Sequence, residues 1–489
     1  MNPLLKDIEA AGLSRRSFLR NLLLAGGSVA TARSLTACNS NSPATSPEGG
    51  SRSKFADMGP LQAPNSDGIQ LPEGFSSRVV AVANQPPIAS NPGFLWHTDP
   101  DGAGTFRTED GGWIVVSNAE VRDATTGFGA LPQIPVISDL ATRESLEVLN
   151  AVIGPVTGLL PVSPPFLLPF RGGVSALRFD KDGNLIDAYP IQRNTTTNCS
   201  GGITPWGTWI NGEEIADGYM FECSPLRDGG TPLRLDRFGR KAHEMAAIDM
   251  GGRAIYHTED VTGEDRFYRT IWAAADWPAG SKPNYDAGTL QVLSVPAGID
   301  AARQGPTPIV WLDAIDDGRP QNQVYLEDST IFAGNEGCWY MNGFVYFSTK
   351  GDDNIWVIDT FSDTIESIYN PADGPIGSPV DPNEPPLAGV DNIALTLDGE
   401  MIVVEDGGDM RAMVLLPDRT TIPLLRLPGD PSVTEVTGPT FSPDGTRLYV
   451  SSQRAGLNGS PSAFGLGGVT YEITMPFAVR VDYPMAQPL

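Results

Sequence analysis

The strongest constraint on the fold is a recurrence. Short runs rich in aromatic and β-branched residues return along the chain, each ending in Gly, Asp, Asn or Ser: Gly111–Asn118, Trp206–Glu214, Gly252–Asp260, Val345–Thr349, Met401–Asp406 and Arg447–Gln453. Their C-terminal ends lie between about 46 and about 96 residues apart, near single or double multiples of the roughly 40 to 50 residues of a propeller blade. Asp182-Gly183, Asn342-Gly343, Asp398-Gly399 and Asp444-Gly445 sit between apolar runs, where tight hairpins need residues that tolerate positive φ. The pattern predicts an all-β chain, a β-propeller of about six or seven blades with loop insertions. Its 54 Gly and 43 Pro fit many short elements joined by turns.

One segment breaks the pattern. Residues 151–170 carry no charge but contain five prolines, which exclude a spanning helix and a central strand. They read as an apolar loop packed over the propeller, with a flap over the site or a membrane-contacting patch as the sharper alternative.

The N-terminus reads as an address. Ser14-Arg15-Arg16-Ser17-Phe18-Leu19 precedes a short uncharged stretch and resembles a twin-arginine export signal. Leu35-Thr36-Ala37-Cys38 resembles a lipobox, although cleavage near Ala32 is an alternative. Residues 1–37 are thus expected to be a signal peptide, 38–69 a flexible tether rich in Ser, Pro, Asn and Gly, and 70–489 the propeller. The expectation is an exported, monomeric protein of the cell envelope or periplasm, meeting the membrane only through a possible lipid anchor and having the export machinery as a partner.

Charge narrows the partners. Against 33 basic side chains stand 59 acidic ones, a net −26, which repels phosphate backbones and excludes a general nucleic-acid binder. Beyond Cys38 only Cys199, Cys223 and Cys338 remain, an odd number, so at least one is not in a disulfide within the chain.

Asn198-Cys199-Ser200-Gly201-Gly202-Ile203-Thr204-Pro205-Trp206-Gly207-Thr208-Trp209 runs on to Glu213-Glu214. A thiol on a Gly-rich turn and two carboxylates at the end of the next strand could converge at one propeller mouth. Soft sulfur with hard oxygens suits iron or a mixed metal site better than calcium alone. Spacing alone favours a buried structural cysteine with solvated glutamates. His97, His243 and His257 are too widely spaced to suggest zinc, and His257 reads as a satisfied strand histidine.

The block closely resembles the signature of the alkaline phosphatase PhoX family. Gly112–Glu120, His243-Glu244, Tyr256–Asp260, Tyr268-Arg269, Asp391-Asn392, Glu405–Gly407 and Gly438–Gly445 follow in the family's order, so the resemblance runs from about residue 70 to the C-terminus. It implies a β-propeller phosphomonoesterase with iron and calcium, acting on a small-molecule phosphate ester through a metal-activated hydroxide or oxide. By the same resemblance Cys199 is the iron-ligating thiolate, with Glu214 and Glu213 beside it. Glu244, Glu259, Glu336 and Glu120 become further metal ligands, and Asn118 and Asp260 are candidates by motif position.

The chain departs from the family in two places. Gly334 stands where the family commonly has a phosphate-clamping arginine, and Gly212 where it has a second cysteine. Arg266 or Arg269 is the expected source of the missing charge. The alternatives to a phosphatase are a non-hydrolytic calcium-binding propeller that holds a ligand or partner, or a hydrolase of another ester class.

Overall fold

The computed structural model describes residues 53–121, 172–261, 263–373, 379, 383–462 and 467–489. The export motif, Cys38 and the 151–170 segment lie outside the described residues, as do residues 38–52 of the expected tether.

Six antiparallel sheets form six blades. Each is a meander whose first strand is innermost: Pro100–Arg107, Asn198–Ile203, His243–Asp249, Asn335–Met341, Val390–Leu395 and Val436–Phe441. These six strands pack side by side in a closed ring around the central channel. Blades three and four each carry a fifth strand, Val310–Asp313 and Thr307–Pro308.

The six runs that announced the fold are the second strands of the six blades: Trp113–Ala119, Trp209–Glu213, Ala254–Glu259, Phe344–Thr349, Met401–Glu405 and Arg447–Ser452. Their spacing is uneven for a reason other than doubled blades. Each wide gap holds a single blade, lengthened by residues 120–171 in one case and by the extra strands and loops between Ile271 and Asn335 in the other. The blade count is therefore six.

Turn chemistry sets the hairpins. Between Met341 and Phe344, Asn342 (φ 53°) and Gly343 (φ 92°) both take positive φ, the backbone of a two-residue turn whose twist matches the strands it joins. The core lies in layers between successive blades. Phe267, Phe347 and Trp356 fill the layer between blades three and four. Between blades six and one, Tyr449 packs on Phe179 with centroids 5.2 Å apart and accepts a 3.0 Å hydrogen bond from the Trp113 indole. Fully burying each such ring stabilises the fold by roughly 1.5–3 kcal/mol.

The ring is closed by a strand from far away in sequence. Ser76–Val82 forms the outer strand of blade six, pairing with Val469–Thr474 and placing Ser76 opposite Thr474. Arg78 reinforces the seam with a 2.7 Å ion pair to Glu472.

Candidate metal centre

The site arises from one irregularity repeated around the ring. Every inner strand slips register against its second strand near its start: at Pro100/Ala103, Asn198/Gly201, His243/Ala246, Asn335/Cys338, Val390/Ile393 and Thr437/Thr440. A bulge there bends the strand and re-aims the side chains it contains. The second residue of the slipped stretch is Asp101, Cys199, Glu244, Glu336 and Asp391 in the first five blades and Gly438 in the sixth. A second tier follows the end of each second strand, with Glu120, Glu214, Asp260, Lys350, Asp406 and Gln453 at equivalent positions.

Three groups of potential ligand atoms, each within 4.8 Å of one another, result: Asp101, Glu120 and Cys199; Glu244, Glu336 and Asp391; and Asp391, Asp406 and Glu435. Asp391 belongs to two of them. The Cys199 thiol donates to Glu244 Oε1 at 2.8 Å and so links the first group to the second. Gln453 Nε2 lies 2.5 Å from both Asp101 Oδ2 and Glu120 Oε2.

Crowding so many acids raises their proton affinities. Burial first, then repulsion from Glu336 and Glu214, pushes Glu244 well above the usual carboxylate range. Burial and the neighbouring Glu120 and Glu435 do the same to Asp101, and burial with Glu336 does so to Asp391. Asp260 is raised to about 8 by burial and Glu336, and Glu435 to about 8 by burial that Arg454 only partly offsets. Burial and the adjacent carboxylates also push the Cys199 thiol up. Asp406 alone among these is lowered, because Lys350 and a hydrogen bond from Glu435 outweigh its burial.

These residues fit a metal-binding role. Asp101 Oδ1 and Glu244 Oε2 are buried acceptors with no hydrogen-bond partner, a costly condition that a cation relieves. The donor set mixes one sulfur with many carboxylate oxygens, which suits a thiophilic transition metal in one group and hard cations in the others.

Other expected site residues are placed elsewhere. Glu213, buried at the end of its strand, accepts the amides of Thr196 (3.3 Å) and Tyr219 (3.2 Å), holding the loops of blade two. Glu259 occupies the same position in blade three and accepts from the Tyr325 hydroxyl at 3.0 Å. Neither belongs to the three groups. Glu214 lies close enough to Glu244 and Cys199 to raise both, but is also outside the groups. Asn118 is spent on structure, donating to Ser200 O (2.9 Å) and accepting from the Trp209 indole (2.9 Å). His257 is fully buried, with Nε2 3.2 Å from Thr270 Oγ1. Cys199, Cys223 and Cys338 are all free and buried.

The expected arginines sit on the flank of blade three. Arg266 bonds Ser329 Oγ (3.2 Å) and lies 3.7 Å over the Tyr325 ring; Arg269 bonds Gln291 (2.9 Å) and lies 4.2 Å over Trp311. The cations that do reach the carboxylates are Lys350, with Nζ 2.5 Å from Glu336 and 3.0 Å from Asp406, and Arg454, 2.9 Å from Glu435 and 3.3 Å from Glu120.

The profile of the family described as Alkaline phosphatase PhoX matches residues 183–368, the stretch that carries Cys199, Glu244, Glu336 and Lys350. Over these residues, about two-fifths of the chain, the sequence is similar to the PhoX family. Its fold is similar to that of Pseudomonas fluorescens PhoX in complex with vanadate, a transition state analogue, at TM-score 0.63 and 16% identity over 86% of this chain and 97% of that one. Similarity is lower to a protein of unknown function from Bacteroides thetaiotaomicron (TM-score 0.42, 9% identity, 85% of this chain and 84% of that one). A gluconolactonase from Xanthomonas campestris follows at 0.38 (12% identity, 86% and 96%). No curated protein matches the sequence. The PhoX signature thus falls on the bulged inner strands of blades two to four, where the ligand positions repeat.

Proposed function

We propose that the protein is a PhoX-type metal-dependent phosphatase that hydrolyses phosphomonoesters. The observation that carries this reading is the convergence of Cys199, Glu244, Glu336 and Asp391, from four blades, on one mouth of the channel within a PhoX-type sequence. Cys199, Asp101 and Glu120 would hold the thiophilic ion, iron by resemblance. The carboxylates centred on Asp391 would hold hard cations such as calcium. Bound cations supply the positive charge that polarises a phosphate group.

The chain's own residues set the rest. The bulges fix the carboxylates on rigid strands, so little reorganisation is needed when charge develops on the reacting phosphate. Gln453 steers Asp101 and Glu120 toward one another with its amide. Lys350 and Arg454 bring the positive charge that an anionic substrate needs at the mouth of an acidic protein. The arginine pair at Arg15-Arg16 and Cys38 support an envelope location, which fractionation of cells expressing the full chain would test.

Metal analysis of the purified protein, followed by assay on an aryl phosphate, tests the reading. Bound iron and calcium with turnover that EDTA abolishes is the expected result. Full occupancy of the metal groups with no hydrolysis would overturn it in favour of a cation-stabilised binding propeller.

A further inference from the structure

The two tiers of the mouth offer twelve equivalent positions, and Lys350 is the one that carries a cationic side chain. Its counterparts in the second tier are Glu120, Glu214, Asp260, Asp406 and Gln453. A carboxylate is therefore the usual occupant, and a lysine here removes one potential metal ligand while adding a positive charge. Two carboxylates, Glu336 and Asp406, pair with this ammonium.

Three observations say what that charge faces. An ammonium has three N–H donors; Asp406 Oδ2 (3.0 Å) accepts one, and Glu336 Oε1, in an ion pair at 2.5 Å, engages at most one more. The third is left over. The side chain is one-third exposed (33%), so part of it is open to a ligand. Beside it lies Gly334, whose carbonyl accepts the Lys350 amide at 2.8 Å. A Cβ at Gly334 would meet only ordinary contacts, with Gly351 N at 3.5 Å and Lys350 Cβ at 3.7 Å. Arg454 is placed differently, its guanidinium divided among Glu435, Glu120 and Asp99 from separate segments.

We propose that Lys350 is the phosphate-binding cation of this chain: its remaining N–H donor takes a non-bridging oxygen of the substrate phosphate. This deepens the phosphatase reading and rests on it. Lys350 is then a catalytic residue in the sense of touching substrate, and it binds as a point charge where a guanidinium would bind as a fork.

The test uses the full metal-loaded protein and two variants, Lys350→Met and Lys350→Arg, with metal content measured for each. Calorimetric titration with inorganic phosphate and steady-state kinetics on an aryl phosphate are run in parallel. The expected result is a loss of phosphate affinity of about 10- to 100-fold in Lys350→Met at unchanged metal content. KM should rise more than kcat falls, and Lys350→Arg should recover most of the affinity. Unchanged phosphate affinity in Lys350→Met overturns the proposal. So does uptake of one further divalent ion with affinity retained, which would make Lys350 a substitute for a metal ion. If the wild-type protein binds phosphate through Lys350 yet turns nothing over, the phosphatase reading fails and the binding role stands. If the loaded wild type binds no phosphate, the binding role fails.

Discussion

The same six inner strands build two unlike ends of one channel. At their starts stand Asp101, Cys199, Glu244, Glu336 and Asp391; toward their far ends Ile203, Ile248, Met341 and Leu395 line a cavity of about 1180 Å³ that also takes in Trp339 and Tyr483. Strands of one kind thus present charge at one end and hydrocarbon at the other. The bulge separates the two. Beyond it the ladder is regular and side chains alternate into the interblade layers; within it, side chains are released from that alternation and converge.

The most severe way to break this division is at Asp391, shared by two of the ligand groups. Asp391→Asn keeps the shape but removes the one anionic ligand that the two groups share. Hydrolysis of an aryl phosphate is expected to fall by about 10²- to 10³-fold, with fewer metal ions per chain. Kinetics and metal analysis on the same sample check it. At the opposite end, Leu395→Ala should cost about 2–5 kcal/mol of stability by leaving a void, measured by urea unfolding, and leave metal content as it was. A change in metal content there would mean the two ends are not separable.

The gentlest probe is pH. Asp260 and Glu435 are raised to about 8 in the folded protein, against about 4 for ordinary carboxylates, so between those values the folded metal-free chain holds more protons than the unfolded one. Its stability must fall as pH rises across that window. His97, His243 and His257, all lowered by burial, and Lys241, lowered by burial to about 7, work against the trend, but Asp101, Glu244, Glu259 and Asp391, all raised by burial, add to it, and the raised acids outnumber the lowered bases. The metal-stripped protein should melt about 2–4 °C lower at pH 8.5 than at pH 5, and metal loading should flatten the slope. A Tm that rises with pH in the stripped protein would contradict the carboxylate crowding.

The architecture was legible because the second strands are short, β-branched or aromatic and stopped by turn residues. The blade count was blurred where insertions stretch two blades. Cys199, Glu244 and Glu336 were legible from motifs. Asp101 and Glu435 were not, because what brings Asp101 beside Cys199, and Glu435 beside Asp391, is the closing of a ring that no local pattern reports. A signal existed in register: the residue that follows each second strand, and the second residue of each inner strand, repeat from blade to blade. Arg266 and Arg269 were chosen on charge alone, and the aromatic faces of Tyr325 and Trp311 explain where those charges went. No motif marked Lys350, which directly follows the strand Phe344–Thr349.

The seam at Ser76–Val82 also sets a clock. This strand leaves the ribosome first, yet the edge it must join ends at Thr474, about 400 residues later. At roughly 5–20 residues per second, it waits for tens of seconds as an unpaired strand. Until it docks, blade six lacks its outer edge, and the carboxylates of blades five and six have no settled neighbours across the ring. The mouth is thus among the last parts of the molecule to be assembled, and cations can find their full set of partners only once synthesis of the chain is nearly complete.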